Sequence, residues 1–257
     1  MNEHVALVAG GSSGIGLATA RRLKASGLMV VIAGRSAERL DSAQQDFEAK
    51  GIQVATVPLN ITDDASCAGA VTQVLDRHDR IDVLVNCVGS APSGGFDAVA
   101  PSAWLDSFDG KVIGAVRLMA LVVTSMRTNH WGRIVNVAGT AGVEPDPWMA
   151  VAGAANAALM AVTKAASLQL AGDGITANAV LPGPTRTGRW VGLVQAHAER
   201  TGQSQDAARQ DLESKIPDGR PAEATDIAEY IAFLTGDSAG HITGTALAID
   251  GGQTRRV

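Results

Sequence analysis

The chain of 257 residues contains one tyrosine, Tyr230, and two cysteines, Cys67 and Cys87. Two thiols without metal-like spacing or a cysteine-rich context make neither a disulfide framework nor a zinc cluster, and they read as reduced side chains. The histidines (His4, His78, His130, His197 and His241) are scattered and supply no ligand constellation. Positive charge is short too: 21 Lys+Arg against 26 Asp+Glu leave a net charge of −5. That balance excludes the basic footprint of a nucleic-acid or acidic-membrane binder. No uninterrupted apolar run reaches the ~18 residues of a membrane span. The first residues enter a strand pattern at His4 without the pattern of a secretory signal. The expectation is a cytoplasmic protein with no membrane or nucleic-acid partner.

What the chain does have is glycine, 29 residues, and a 46% apolar content, which suit a compact α/β protein with tight turns. Short β-branched runs recur: Val5–Val8, Met29–Ile32, Val54–Val57, Val83–Val85, Ile134–Val137, Thr176–Val180 and Ala246–Ile249. Such near-continuous apolar runs predict strands buried on both faces, as in a parallel sheet covered by helices. Helical periodicity fills the intervals, at Gly16–Ala25, Ala37–Lys50, Asp63–Arg77, Ser102–Arg127 and Trp148–Ala171. This alternation predicts one doubly wound α/β domain over residues 1–257, with three αβα layers. The stretch 184–217 breaks the rhythm with polar, piecewise-helical sequence. It follows a strand's carboxyl end, where open α/β sheets bind ligands, and is expected to act as a lid.

Between the first strand and first helix lies Gly10-Gly11-Ser12-Ser13-Gly14-Ile15-Gly16. A turn this tight needs residues without a Cβ, and the helix start behind it offers unpaired N–H groups to a phosphate. Its Gly-x-x-x-Gly-x-Gly spacing resembles the glycine motif of the short-chain dehydrogenase/reductase family. Asn86-Cys87-Val88-Gly89 is similar to that family's Asn-Asn-Ala-Gly. Pro182-Gly183-Pro184-Thr185-Arg186-Thr187 resembles its Pro-Gly motif, and Asp250-Gly251-Gly252 its closing motif. The resemblance covers almost the whole chain. It implies a Rossmann-like fold and a dinucleotide site built from Gly10, Ser12, Ser13, Gly14, Ile15, Gly16, Asn60, Ile61, Asn86, Val88, Gly89, Pro182, Gly183 and Thr187.

At the end of the second strand, where NAD sites carry an acidic residue, stands Gly34, followed by Arg35. An arginine there suits a 2′-phosphate through charge-assisted hydrogen bonds, so NADP(H) is expected over NAD(H). Three departures weaken the match: Asn60 replaces an aspartate, Val88 an alanine, and Ala9 a threonine.

The family's chemistry uses a tyrosine acid, a lysine four residues on that lowers its pKa, a serine that orients the carbonyl, and an asparagine that holds a relay water. The matching positions here are Ala152, Asn156, Gly139 and Lys111. Tyr230 falls on the last large helix and cannot substitute. Lysine and asparagine look exchanged between their two helices. Lys111 is either placed near the vacated site, able to act as an acid or bind a carboxylate, or turned outward. Thr140, Glu144, Asp146 and Trp148 flank the same mouth. The resemblance also implies a dimer or tetramer through helices at about 102–127 and 148–171. The favoured reading of function is a non-catalytic subunit supporting a catalytically complete homologue in a mixed or homo-oligomer. The alternatives are an atypical NADP(H)-dependent oxidoreductase using Lys111, water or substrate groups, and a nucleotide-responsive binding protein. No metal is expected.

Overall fold

The computed structural model describes residues 4–255. In chain order the first half holds β1 (Val5–Ala9), α1 (Gly14–Ala25), β2 (Met29–Gly34), α2 (Ala37–Glu48), β3 (Ala55–Pro58), α3 (Asp64–His78) and β4 (Val83–Asn86). Next come α4 (Pro101–Phe108), a π-helical turn (Asp109–Ile113), α5 (Gly114–Thr128), β5 (Gly132–Val137), α6 (Ala150–Leu170) and β6 (Ile175–Pro182). The last part comprises β7 (Thr185–Arg186), α7 (Gly188–Thr201), α8 (Gln205–Glu213), β8 (Ala222–Glu223), α9 (Ala224–Leu234) and β9 (Ala246–Ile249).

The seven long strands form one parallel sheet in the order β3-β2-β1-β4-β5-β6-β9. Alternate side chains of each strand leave by opposite faces. In β1, Val5, Leu7 and Ala9 join a core with Val71 and Val74 of α3 and Leu118, Val122 and Met126 of α5. Ala6 and Val8 join a second core with Leu23 of α1, Phe47 of α2 and Ile227, Ile231 and Leu234 of α9. These two cores are the reason for three layers, and each fully buried Leu, Ile, Val or Phe contributes about 1.5–3 kcal/mol. Tyr230 belongs to this second layer, stacked 6.0 Å from Phe233, and is absent from the cleft described below.

Two expectations change. β9 is an edge strand with Leu247 45% exposed, because it has a neighbour on one side only. The helix expected over Ser102–Arg127 is interrupted by the π-helical turn at Asp109–Ile113. The stretch Ala150–Asp173 is, by length and composition, apolar enough to cross a membrane. In this fold it packs on the sheet through Leu159 and Leu170 instead.

Strand order reverses direction at β1, flanked by β2 on one side and β4 on the other. The crevice outside the carboxyl ends at such a switch point is where open α/β sheets bind ligands.

Candidate functional site

A cleft of about 2810 Å³ runs along that edge. It exceeds the ~300–1,000 Å³ of a single small-ligand pocket, so it has room for a dinucleotide and a second molecule. Its walls include every expected cofactor residue except Asn86.

The glycine turn forms one end. Gly10 N–H donates to Ala33 O at 2.8 Å, tying the turn to β2. A Cβ on Gly16 would lie 2.2 Å from Gly10 O, so only glycine lets α1 begin this close to the turn. Ser13 is the N-cap of α1 but its side chain makes no capping bond, which leaves the first N–H groups of the helix free of a side-chain partner. A Cβ built on Gly14 would lie 3.3 Å from Thr187 Cγ2, so the turn and the Pro182–Thr187 segment face each other.

Arg35 lines the cleft beyond Gly34, and Arg39 joins it. The Ser36 hydroxyl caps α2 by accepting from Arg39 N at 3.2 Å. Sequence reading missed Arg39; the signal was a second arginine one helical turn after the first. Asn60 Oδ1 accepts from Thr62 Oγ1 at 2.9 Å, and Ile61, Val88 and Gly89 continue the wall.

Asn86 is placed differently from its motif's implication. Its side chain is 2% exposed, and Nδ2 donates to Asn136 Oδ1 at 2.8 Å. Asn136 Nδ2 donates in turn to Thr163 Oγ1 at 2.8 Å. These bonds tie β4, β5 and α6 together beneath the cleft.

Lys111 sits in the π-helical turn and lines the cleft. Its stem lies against Gly89, where a Cβ would come within 2.9 Å of Lys111 Cβ and Cγ. Its ammonium donates to Val137 O at 3.2 Å and Ala138 O at 3.3 Å, at the carboxyl end of β5. Two carbonyls use two of its three N–H bonds. Desolvation, and then the field of Arg189, pull its pKa from the usual 10.5 down to about 8, against a small opposing effect of Cys87. Burial pushes the Cys87 thiol up to about 12, so it stays protonated at neutral pH.

Gly139, Ala152 and Asn156 line the same cleft, Gly139 following the two carbonyls directly in the chain. A Cβ on Gly139 would stand 2.8 Å from Asn156 Nδ2, so the missing side chain makes room for the amide. Asn156 is 6% exposed and its Oδ1 has no hydrogen-bond partner. An unpaired buried acceptor on a cleft wall is poised to receive a donor from a bound molecule.

The region 184–217 closes the far side with β7, α7 and α8. Trp190, Leu193, His197 and Arg200 of α7 face the cleft. His197 Nε2 lies 2.6 Å from Asp211 Oδ2, and Arg200 Nη2 donates to His197 Nδ1 at 2.7 Å. The Arg200 guanidinium also stands 4.9 Å over the Trp148 ring, joining α7 to the loop before α6. Among the described residues no group of histidine, cysteine and carboxylate side chains is arranged to hold a metal.

Over residues 9–254 the chain matches the family model described as enoyl-(acyl carrier protein) reductase. It is 36% identical, over 97% of each chain, to a protein of the monensin polyketide synthase of Streptomyces virginiae that is named for ketoacyl reduction. It is 31% identical, over 96% of each chain, to the 3-oxoacyl-[acyl-carrier-protein] reductase of Thermotoga maritima. Among solved structures, an actinorhodin polyketide ketoreductase variant with NADPH superposes with a TM-score of 0.96 at 31% identity, covering 99% of this chain and 98% of that one. Relatives named as reductases along the full length overturn the expectation of a non-catalytic subunit.

Proposed function

Because the chain belongs to the short-chain dehydrogenase/reductase family, we propose that it is an NADP(H)-dependent carbonyl reductase in which Lys111 is the proton donor. In this reading Lys111, Gly139, Ala152 and Asn156 occupy the positions of the family's asparagine, serine, tyrosine and lysine. The observation that carries it is the Lys111 ammonium, held by two carbonyls at the cleft wall with a pKa of about 8.

The residues fit the cofactor. The glycine turn leaves the α1 N–H groups free for its diphosphate. Arg35 and Arg39 stand where a 2′-phosphate would be read. The orphaned Asn156 Oδ1 can accept from a ribose hydroxyl. NADPH, when bound, supplies the hydride that reduces a carbonyl carbon.

The protein's own part is proton delivery and orientation. An acid with a pKa near the working pH is efficient because it is mostly protonated and still gives up its proton readily. Lys111 Nζ has one N–H free of the two carbonyls, and this bond donates to the substrate oxygen. As negative charge grows on that oxygen the proton transfers, and water entering the open cleft reprotonates the neutral amine. Ala152 leaves the space that the ammonium and substrate share. The relatives' names point to ketoacyl groups as substrates. We read the region 184–217 as the lid that selects among them.

Titration of the purified protein with NADPH and NADH, followed by NADPH consumption with ketones and 3-oxoacyl thioesters, tests the reading. NADPH should bind in the micromolar range and be consumed. Arg35→Ala should weaken NADPH by about tenfold or more, the value of charge-assisted phosphate bonds, and leave NADH as it was. Equal losses for both cofactors would remove Arg35 from the 2′-phosphate site, and an inert NADPH complex with every carbonyl tried would end the reductase reading.

The outward side of the α4–α6 layer exposes Leu105 (72%), Val116 and Leu168 (72%). We propose that a second copy covers this face in a homo-oligomer. Sedimentation should then give a dimer or tetramer that Leu168→Glu shifts toward monomer; a wild-type monomer at micromolar concentration would refute it.

A further inference from the structure

Lys111 is not the only cation in the cleft that lacks a carboxylate partner. Arg189, the second residue of α7, lines the same wall. Among the described residues its guanidinium has no hydrogen-bond or ion-pair partner, although eight other arginines pair with carboxylates, as Arg117 does with Asp109 at 2.7 Å. The Arg189 side chain is exposed to solvent on the cleft side, yet the surrounding protein still lowers its pKa by desolvation, with no carboxylate opposing. Its field is also the charge that disfavours protonated Lys111. Of the other basic groups that line the cleft from α7 and the segment after α8, Arg200 is engaged with His197 and Trp148, and Lys215 with Asp211 at 2.9 Å.

Two cations that repel each other across a partly desolvated cleft, with no carboxylate between them, are stabilised by an anion that arrives with the ligand. We propose that Arg189 recognises a carboxylate on the substrate, so that the enzyme reduces oxo acids whose carboxylate and carbonyl lie close together. Guanidinium and carboxylate match as two parallel N–H···O bonds. With the carboxylate on Arg189, the carbonyl is directed to Lys111, and the anion's charge offsets the repulsion between the two cations. This specificity rests on the reductase reading above. The cofactor diphosphate is the competing oxyanion, since Thr187 beside Arg189 faces Gly14 of the phosphate turn.

The test compares short 2-oxo and 3-oxo acids with their methyl esters, acetoacetate and methyl acetoacetate among them, in NADPH-loaded wild type, Arg189→Ala and Arg189→Lys. Wild type should prefer at least one acid to its ester, and in Arg189→Ala the acid-to-ester ratio of kcat/KM should fall about 10- to 100-fold, mainly through KM, as expected for losing a hydrogen-bonded charge. Arg189→Lys should recover part of that ratio. The charged and titratable groups acting on Lys111 are Arg189 and Cys87, so Arg189→Ala should also move the alkaline fall in activity to higher pH. Equal use of acid and ester by wild type overturns the proposal. So does an unchanged ratio in Arg189→Ala accompanied by weaker NADPH binding, which assigns the guanidinium to the diphosphate. If no carbonyl is reduced, the reductase reading fails, and acid-against-ester binding, followed by quenching of tryptophan emission in the NADP⁺ complex, still decides the carboxylate site. Selective binding of acids that Arg189→Ala abolishes supports it, and equal binding or none overturns it.

Discussion

Lys111→Met should lower kcat for carbonyl reduction by about 10²- to 10⁴-fold, the usual range for removing a general acid. NADPH affinity should stay within about threefold, because the side chain contacts carbonyls of β5 and not the glycine turn. Methionine keeps the stem that lies over Gly89 and removes only the charge and its donors. In wild type the protonated amine is the active form, so the reduction rate should fall as pH rises through about 8, and the variant should lose that limb. Stability should move the opposite way. The folded-state pKa of about 8 lies below the usual 10.5. Between those values the unfolded chain holds more protons, so wild-type stability rises with pH there and the burial cost is fully present below about 8. The variant should therefore melt higher than wild type at pH 7 while being nearly inactive, a trade of stability for function at one side chain. Unchanged kcat with an unchanged pH limb would transfer the proton's source to water or substrate and remove Lys111 from the mechanism.

Gly16→Val should abolish nucleotide binding, a loss of about a hundredfold or more, and lower the melting temperature. The new Cβ would sit 2.2 Å from Gly10 O and 2.8 Å from Gly10 C, backbone atoms with no rotamer to yield. Either the turn opens or α1 moves away from β1. Both break the array of N–H groups that a phosphate needs. Gly69→Ala is the control: it lies in α3 with nothing within 4 Å of its Cβ position, and it should be neutral or stabilising by about 0.5–1 kcal/mol through helix propensity. If calorimetry and NADPH titration showed Gly16→Val behaving like that control, the turn would have no part in holding the cofactor.

The five inner strands of the sheet were legible because a strand buried on both faces needs an unbroken apolar run, and Val5–Val8 or Ile134–Val137 has no other simple use. The sequence singled out Lys111 and Asn156 through the register of neighbouring motifs, and both line the cleft. Whether the ammonium faced the cleft was not, since that depends on Gly89 leaving space for its stem. Asn86 matched its motif in letters only: Asn136, fifty residues away, takes up its amide. Arg189 gave no signal because its significance is the absence of a carboxylate, and the sequence does not say which acids will be near. The break after Phe108 carried no proline; its local cues are Gly110, inside the turn, and Gly114, which reflects the close approach of Ile61, where a Cβ would meet Cγ1 at 2.6 Å.

That break has a consequence for how the protein can vary. A π-helical turn accommodates one residue more than α-helical spacing allows. Deleting a single residue from Asp109–Ile113 would let α4 and α5 run on as one regular helix, at little cost in hydrogen bonds. Because the wide turn itself absorbs the extra residue, the phase of the flanking helices would change little, and the displacement would fall on the side chains within the turn. Lys111 would leave the sheet's carboxyl edge without itself being changed. The donor's position is thus encoded in the number of residues between Pro101 and Thr128 as much as in their identities. Homologues differing there by one insertion or deletion should differ in chemistry while sharing the fold.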